Sequence, residues 1–192
     1  MTRFERLLEI LNTRFIGSGF LLYWGAAVGI FAAVFLVLTL WNRRLAEGLT
    51  RPRRQRAAMA GIAAWYALVL CYTVISRPVL ASRSIELLPL WSYYDAIVEH
   101  SLTQAGWIAV NLCMLLPIGF LLPAAHRRPI TWRRPLLWGL VMAFTIELLQ
   151  LLLKRGTFEL FDDPVNNLLG CLAGYAIQRL TRSGRRTAGR RR

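Results

Sequence analysis

The sequence predicts an all-α membrane protein, a polytopic bundle of about five transmembrane helices with an aromatic segment at the membrane interface. Of the 192 residues, 56% are apolar and 18% are charged. The charged residues fall in blocks between long uncharged runs. A hydrocarbon core ~30 Å thick is crossed by about 20 helical residues, and several of the runs reach that length.

The predicted spans, in chain order, are residues 15–42, 57–76, 101–125, 135–153 and 164–178. The first three carry no charged residue, whereas the fourth contains Glu147. The fifth is short for a span, but the long side chains of Arg179 and Arg182 just beyond it can reach the interface. The first run is far longer than the ~7–15 residues of a signal-peptide core, so we predict a retained helix.

These spans form one predicted membrane domain, residues 15–182, with a short segment on either side. Residues 1–14 combine basic residues with Phe4, Leu7 and Leu11, which predicts an amphipathic helix at the interface. Residues 183–192 are basic and predict a disordered tail.

Basic residues are distributed unevenly between the two sides of the predicted bundle. Most of the 24 Lys and Arg residues fall in loops 43–56 and 126–134 and in the tail after residue 178. The opposite loops are acidic and contain Glu86, Asp95, Glu99, Glu159, Asp162 and Asp163. Because basic loops stay in the cytoplasm, we predict a multi-pass protein of the cell membrane with its N-terminus outside and its C-terminus cytoplasmic.

The net charge of +14 does not indicate a nucleic-acid partner, because the basic loops offer no aromatic platform. Anionic phospholipid headgroups at the cytoplasmic face are the predicted partner, at about 1 kcal/mol for each basic residue near the surface. Cys71, Cys113 and Cys171 lie in three different predicted helices, a pattern that favours neither a disulfide framework nor a metal site. The prediction is therefore a protein without metal or cofactor.

The loop before the third span contains an apolar, aromatic segment that is too short to cross the membrane. It begins at Ile85, includes Leu88-Pro89-Leu90-Trp91, and continues to Tyr93 and Tyr94. Aromatic rings of this kind concentrate in the headgroup layer. Two interpretations stay open, a lid over the outer face and an ordinary interfacial anchor.

Polar residues inside the fourth span are the strongest functional signal. Glu147, Gln150 and Lys154 lie on one stripe of the helix because they are three and four residues apart. An ionisable group at membrane depth costs at least ~2.5–3.5 kcal/mol and usually faces a bundle interior or an aqueous cavity. Glu147 is therefore a candidate general acid or proton carrier; paired with Arg155, it would instead form a structural ion pair.

The start of the fifth span supplies further polar groups. Asp162-Asp163-Pro164 is typical of a helix start, so Asp163 is a candidate helix cap as well as a candidate site residue. Asn167, Gly170 and Gly174 then share one helix face, and the spacing of the two glycines predicts close packing against the fourth span.

The third span contributes Asn111, an amide that needs a partner inside the membrane, and Pro117, which predicts a kink. Three spans are thus predicted to converge on an outward-facing polar pocket lined by Asn111, Glu147, Gln150, Arg155, Asp162, Asp163 and Asn167. Helix packing is assigned to Pro117, Gly119, Gly170 and Gly174. Candidate catalytic residues are Glu147, Asp162 and Asp163, but no nucleophile–base pair defines a reaction.

The second half of the chain resembles the VanZ-like family over about residues 85–180. The resemblance is carried by Asn111-x5-Pro117-x-Gly119-Phe120, Glu147-x-x-Gln150, Arg155 and Asp162-Asp163-x3-Asn167-x-x-Gly170, together with Leu88-Pro89-Leu90. The link from Arg155 to Asp162 is longer than usual in the family and contains Glu159. The resemblance implies a plasma-membrane protein connected with reduced susceptibility to teicoplanin-type glycopeptide antibiotics.

Three classes of function follow from these observations. The first is a membrane protein that binds or acts on an amphiphile at the outer leaflet, such as a lipid-linked cell-envelope precursor or a lipoglycopeptide. The second is an intramembrane hydrolase or transferase with Glu147 and Asp162 as acid and base. The third is a non-catalytic scaffold whose polar residues hold the helices together.

Overall fold

The computed structural model describes residues 37, 40, 50–99 and 101–189. Segment 1–14, and the predicted first span at 15–42 apart from two residues, lie outside this part of the chain. From residue 50 onward, the described elements are α1 (Arg51–Leu70), a π-helical turn (Cys71–Ile75), β1 (Ser84–Glu86), α2 (Trp91–Ile97), α3 (Leu102–Met114), α4 (Leu116–Ala125), α5 (Arg133–Leu153), β2 (Thr157–Glu159) and α6 (Asp162–Gly189).

Three helical segments of the described chain are long and apolar enough to cross a membrane: Arg51–Ile75, Thr103–Ala125 and Arg133–Leu153. They confirm the membrane class and the second, third and fourth predicted spans. The helix that contains residues 164–178 does not meet the same criterion, because Asn166, Asn167 and Gln178 dilute its apolar residues. The fifth span stays a prediction, and five spans are supported only in part.

The last helix extends further than the sequence suggested. α6 continues to Gly189, past residue 178, where the predicted fifth span ends. The disordered tail predicted for residues 183–192 stays a prediction.

The third span is interrupted near its middle. α3 ends at Met114, Leu115 has a φ of −95° and a ψ of 0°, and α4 begins at Leu116. Pro117 lies in the first turn of α4, where its missing N–H removes no bond of the new helix. The predicted break therefore occurs, two residues before the proline rather than at it.

The core is built around α6, which packs against α3, α4 and α5. Leu115, Ile118 and Cys171 are fully buried there. The opposite, outer face of α5 is a stripe of exposed apolar residues at helical spacing, consisting of Leu137, Val141, Phe144, Leu148 and Leu152. Such a stripe is the expected lipid-facing surface of a membrane helix.

Three glycines allow the backbones of α6 and the third span to touch. A Cβ atom at Gly170 would overlap the carbonyl oxygen of Leu112, and one at Gly174 would overlap that of Leu116. In return, a Cβ atom at Gly119 would overlap the carbonyl oxygen of Cys171. The predicted close packing is present, but its partner is the third span and not the fourth, because the spacing of small residues specifies a contact without specifying which helix makes it.

The two ends of the bundle differ in charge. At one end, called the basic end, lie the first residue of α1, the 126–134 loop and Arg179 of α6. The other end of the bundle, called the acidic end, contains the segment that follows α1, the last turn of α5 and the start of α6. There β1 and β2 pair in parallel, with Ser84 opposite Thr157 and Glu86 opposite Glu159.

Candidate functional site

Asp162 anchors the aromatic segment to the start of α6. Its Oδ1 accepts a hydrogen bond from the backbone N–H of Leu90 at 2.7 Å, and its Oδ2 accepts one from Ser92 at 2.9 Å. Leu90 has a φ of +65°, a left-handed conformation that costs energy for a leucine and needs outside support. Both carboxylate oxygens are thus engaged in holding the beginning of α2.

Glu147 is buried in the interior, with 1% of its surface exposed. Its Oε2 accepts a hydrogen bond from the backbone N–H of Glu159 at 2.8 Å, which ties α5 to β2. The carboxylate also interacts electrostatically with the carboxylates of Asp163 and Glu159 and with the Arg77 guanidinium. The fourth span, strand β2 and the start of α6 therefore meet at this side chain.

Arg155 has a different role from the ion pair considered from the sequence. Its guanidinium donates to the backbone carbonyls of Ile75 and Arg77, the latter at 2.9 Å. Ile75 is the last residue of the π-helical turn and Arg77 lies just beyond it, where helical carbonyls lose their usual partners. Arg155 accordingly closes the end of the π-helical turn, and Arg77 is the cation whose charge acts on Glu147.

Sequence reasoning missed Arg77. Its guanidinium lies over the ring of Trp107, 5.2 Å from the centroid. On its other side is Gly156, with a φ of +98°, where an added Cβ atom would meet Arg77 Nη1 at 2.5 Å. Arg77 is the first charged residue after the uncharged run 57–76, which is the one sequence signal that could have pointed to it.

Asp163 connects α3 and α6. Asn111 donates from Nδ2 to its Oδ1, and its backbone carbonyl accepts a hydrogen bond from Asn167 Nδ2 at 3.0 Å. Nearby, the Tyr93 hydroxyl donates to Asn166 Oδ1, which joins α2 to the same helix. Asn166 and Tyr93 were not among the predicted pocket residues. Asn166 lies on a different face of the helix from Asn167, and Tyr93 reaches it from α2, 73 residues earlier in the sequence.

Gln150 lies one turn beyond Glu147 on α5. Its Nε2 donates to the backbone carbonyl of Thr73 at 3.1 Å, within the π-helical turn. Like Arg155, it therefore binds the segment that follows α1. Of the seven predicted pocket residues, the structure brings Asn111, Glu147, Asp162, Asp163 and Asn167 to the start of α6, whereas Gln150 and Arg155 bind backbone carbonyls between residues 73 and 77.

Three buried amide atoms at the acidic end have no hydrogen-bond partner within the described chain: Gln150 Oε1, Asn166 Nδ2 and Asn167 Oδ1. Buried polar atoms in native proteins are almost always paired, and each unpaired one costs about 1–3 kcal/mol. Two acceptors and one donor are therefore available to water or to a polar ligand in this region.

The carboxylates at the acidic end outnumber the cations that act on them. Glu147, Glu159 and Asp163 all feel the charge of Arg77, and Asp162 adds a fourth acid. Burial raises the pKa of Glu159, and the carboxylates of Asp162 and Glu86 raise it further, against the lowering effects of Ser92 and Arg77. The cluster is thus suited to accept hydrogen bonds or a positive charge from a bound group. We call Glu147, Glu159, Asp162, Asp163 and Arg77 the acidic cluster.

Glu159→Gln is expected to flatten the pH dependence of stability. A glutamine still accepts the hydrogen bond that Ser92 Oγ donates at 3.2 Å but carries no charge. With its pKa raised in the folded chain, Glu159 stabilises the fold fully below its ordinary pKa, and this contribution is lost as pH rises through the raised value.

The test is thermal unfolding of detergent-solubilised protein across mildly acidic to alkaline pH. The wild-type Tm should fall with rising pH more steeply than that of Glu159→Gln, while Glu99→Gln, at an exposed acid, should follow the wild type. Parallel curves for wild type and Glu159→Gln would contradict the electrostatic role of Glu159.

One known protein family matches a region of the chain that contains both the site and the helices around it. The VanZ/LLP1 family model matches residues 59–182, which is more than half of the chain. The chain belongs to the VanZ/LLP1 family. The matched region contains the second and third candidate spans completely, the first from residue 59 onward, and every residue of the acidic cluster. The VanZ resemblance predicted from the sequence is thereby confirmed. No curated protein and no solved structure matches the chain.

In the part of the chain that the structure describes, no group of three or more His, Cys, Asp or Glu side chains is arranged to hold a metal ion. The acids of the cluster are instead bound to backbone N–H groups, an amide and a hydroxyl.

Proposed function

We propose that this VanZ-family protein binds an amphiphile at the outer surface of the cell membrane, with the acidic cluster holding the polar part of the ligand. The orientation that the proposal uses is the one predicted from the basic loops, with the acidic end outside. Candidate ligands are a teicoplanin-type lipoglycopeptide and a lipid-linked precursor of the cell envelope. A role in glycopeptide resistance would follow from binding the former.

The observation that carries this proposal is an exposed apolar surface fixed beside the acidic cluster. Leu88 is 61% exposed, Leu90 66% and Ile97 67%. The segment that carries them is nevertheless fixed, because the Leu88 N–H donates to Glu86 and the N–H groups of Leu90 and Ser92 donate to Asp162. Exposed apolar patches beside a polar site favour interaction with lipid or with a ligand's hydrophobic part. An amphiphile has both parts, and this arrangement supports the lid interpretation of the aromatic segment over a simple anchor.

The polar part of the ligand is expected to be a hydrogen-bond donor or a cation. Four carboxylates face one principal guanidinium in the acidic cluster, and two of the three unpaired buried amide atoms are acceptors. Ammonium, amide and hydroxyl groups satisfy such a surface. An anionic headgroup would be repelled, which favours a glycopeptide core or a sugar over a bare phosphate at this end.

A second function, an intramembrane hydrolase or transferase, is favoured by one specific observation. Glu147 and Asp163 interact electrostatically inside the protein, and paired acids of this kind can share a proton and divide the acid and base roles. Asp162 is less suited to the base role assigned from the sequence, since both its oxygens already accept backbone hydrogen bonds. If the protein is an enzyme, Glu147 and Asp163 are its best acid–base pair.

The proposal is tested by reconstituting the purified wild-type protein in nanodiscs and measuring binding of a teicoplanin-type lipoglycopeptide. The same glycopeptide core without its acyl chain serves as the matched ligand control. We expect saturable binding that weakens at least about tenfold without the chain, since each buried CH₂ contributes ~0.8 kcal/mol. Equal binding of both ligands, or of neither, would contradict an amphiphile site for this ligand.

Mass spectrometry of the recovered ligand separates the two functions in the same experiment. An unchanged mass after prolonged incubation supports binding alone. A new product that appears with the wild type, and fails to appear when Asp163 is replaced by Asn, supports the enzyme. The substitution keeps an oxygen that can accept the hydrogen bond from Asn111.

A further inference from the structure

The basic end of the bundle contains a cavity that is lined mainly by arginines. It has a volume of about 290 Å³ and lies between the start of α1, the 126–130 loop and the last part of α6. This is close to the lower limit of the ~300–1,000 Å³ usual for small-molecule sites. Five arginines line it: Arg51, Arg54, Arg127, Arg128 and Arg179. No acidic residue is among its lining residues.

The positive-inside rule alone explains basic loops but does not require them to converge. Here three segments far apart in the sequence contribute arginines to one concave site. Arg51 donates to the backbone carbonyl of Arg127, which fixes the loop against α1. Tyr175 donates to the carbonyl of Ile130 at 2.7 Å, which fixes the same loop against α6. The walls of the cavity are therefore held by specific hydrogen bonds.

One of these arginines has a donor that no residue in the described part of the chain satisfies. Arg54 Nε is buried and has no hydrogen-bond partner among the described residues. The buried side chain of Gln178, which is 1% exposed, also lines the cavity. A buried cationic donor without an acceptor is costly, and repulsion among the five guanidinium groups adds to that cost. The cavity therefore favours an anion with several acceptor oxygens.

We propose that this cavity binds a phosphate group, with Arg54 as its principal ligand and Arg128 among the other lining arginines. The planar guanidinium fork matches phosphate oxygens in a bidentate manner. The phosphate can belong to the headgroup of an anionic phospholipid or to a free phosphate compound, and both sources present the same chemistry. The proposal does not rest on the amphiphile site, because the cavity lies at the opposite end of the bundle.

The structure provides a matched control on the same helix. Arg53 neighbours Arg54 in sequence and is exposed, but it does not line the cavity. Arg53→Gln and Arg54→Gln therefore remove the same charge from the same turn of α1. A phosphate site predicts a large difference between them, whereas a diffuse electrostatic field predicts none.

The experiment uses the full-length protein in nanodiscs of zwitterionic phosphatidylcholine, to which phosphatidylglycerol or phosphatidic acid is added in one arm. Inorganic phosphate or pyrophosphate is added in the other arm. Native mass spectrometry counts what stays bound after release from the disc. We expect retention of at least one of these probes, and Arg54→Gln should weaken it at least about tenfold, as for a lost charge-assisted hydrogen bond. Arg53→Gln should retain the wild-type level.

The two arms identify the source of the phosphate. Retention of the lipid without competition from phosphate or pyrophosphate assigns the site to a headgroup, and competition assigns it to a free phosphate compound. If Arg54→Gln does not fold, Arg128→Gln with Arg133→Gln as its control repeats the comparison, because Arg133 does not line the cavity. Equal losses in a variant and its control, or retention of none of the probes, would overturn the proposal.

Discussion

Gly170→Ala is expected to remove most of the folded protein from the membrane, and Gly174→Ala to do the same. At either position the new methyl group would overlap a backbone carbonyl oxygen of the third span, that of Leu112 or of Leu116. A backbone atom cannot rotate away as a side chain can, so α6 would have to separate from α3 and α4. The resulting loss should exceed the ~1–3 kcal/mol typical of overpacked cores.

The loss of folded protein is measured in two ways, as membrane abundance by quantitative blot and as thermal stability in detergent. Gly139→Ala is the matched control, because its added Cβ atom would meet side-chain atoms, Leu168 Cδ1 at 3.0 Å and Cys171 Cβ at 3.2 Å. Leu168 Cδ1 is the end of a flexible side chain and can shift by the few tenths of an ångström required, and the Cys171 Cβ contact is far less close than the carbonyl overlaps at Gly170 and Gly174. Gly139→Ala should therefore be much more stable than either of those variants. Wild-type stability of Gly170→Ala would contradict the packing of α6 on the third span.

The membrane class was predictable because hydropathy and length act locally. An uncharged run such as 57–76 needs only its own residues to be recognised as a span. The choice of packing partner is not local. Gly170 and Gly174 indicate a close contact, but whether the third or the fourth span makes it depends on how all the helices are arranged.

The sequence predicted which residues belong to the site better than it predicted which of them contact one another. Asn111, Glu147, Asp163 and Asn167 do meet, as their polar character at membrane depth indicated. The pairing of Ser84 with Thr157 could not be predicted, since strands of three residues at 73 residues' separation leave no periodic signal. Without that pairing, nothing in the sequence places Glu159 beside Glu147.

The roles of the two aspartates also depended on distant elements. Asp163 was the preferred candidate for a cap of its own helix, but its carboxylate accepts a hydrogen bond from Asn111 of α3. Asp162 binds the backbone of Leu90 and Ser92. Sequence context shows that both lie at a helix start, where acids are favoured by the helix dipole. It does not show which neighbouring loop returns to meet them.

Glu147→Gln is expected to abolish the proposed function while leaving the fold in place. The glutamine side-chain oxygen can still accept the hydrogen bond that Glu159 donates from its backbone at 2.8 Å. What is lost is the titratable carboxyl group, with its exchangeable proton, at the centre of the acidic cluster. A binding site that depends on this carboxyl group should fail, whereas a scaffold that depends on the hydrogen bond should not.

The most direct test of the acidic cluster as a working site is teicoplanin susceptibility in a sensitive Gram-positive host. Strains carry empty vector, wild type, Glu147→Gln, or the control Leu148→Ala at the neighbouring lipid-facing position, 52% exposed, with membrane levels matched by blot. We predict that wild type and Leu148→Ala protect, and that equally abundant Glu147→Gln gives the susceptibility of the empty vector. Full protection by Glu147→Gln, or loss of that variant from the membrane, would contradict the account and leave Glu147 as a structural residue.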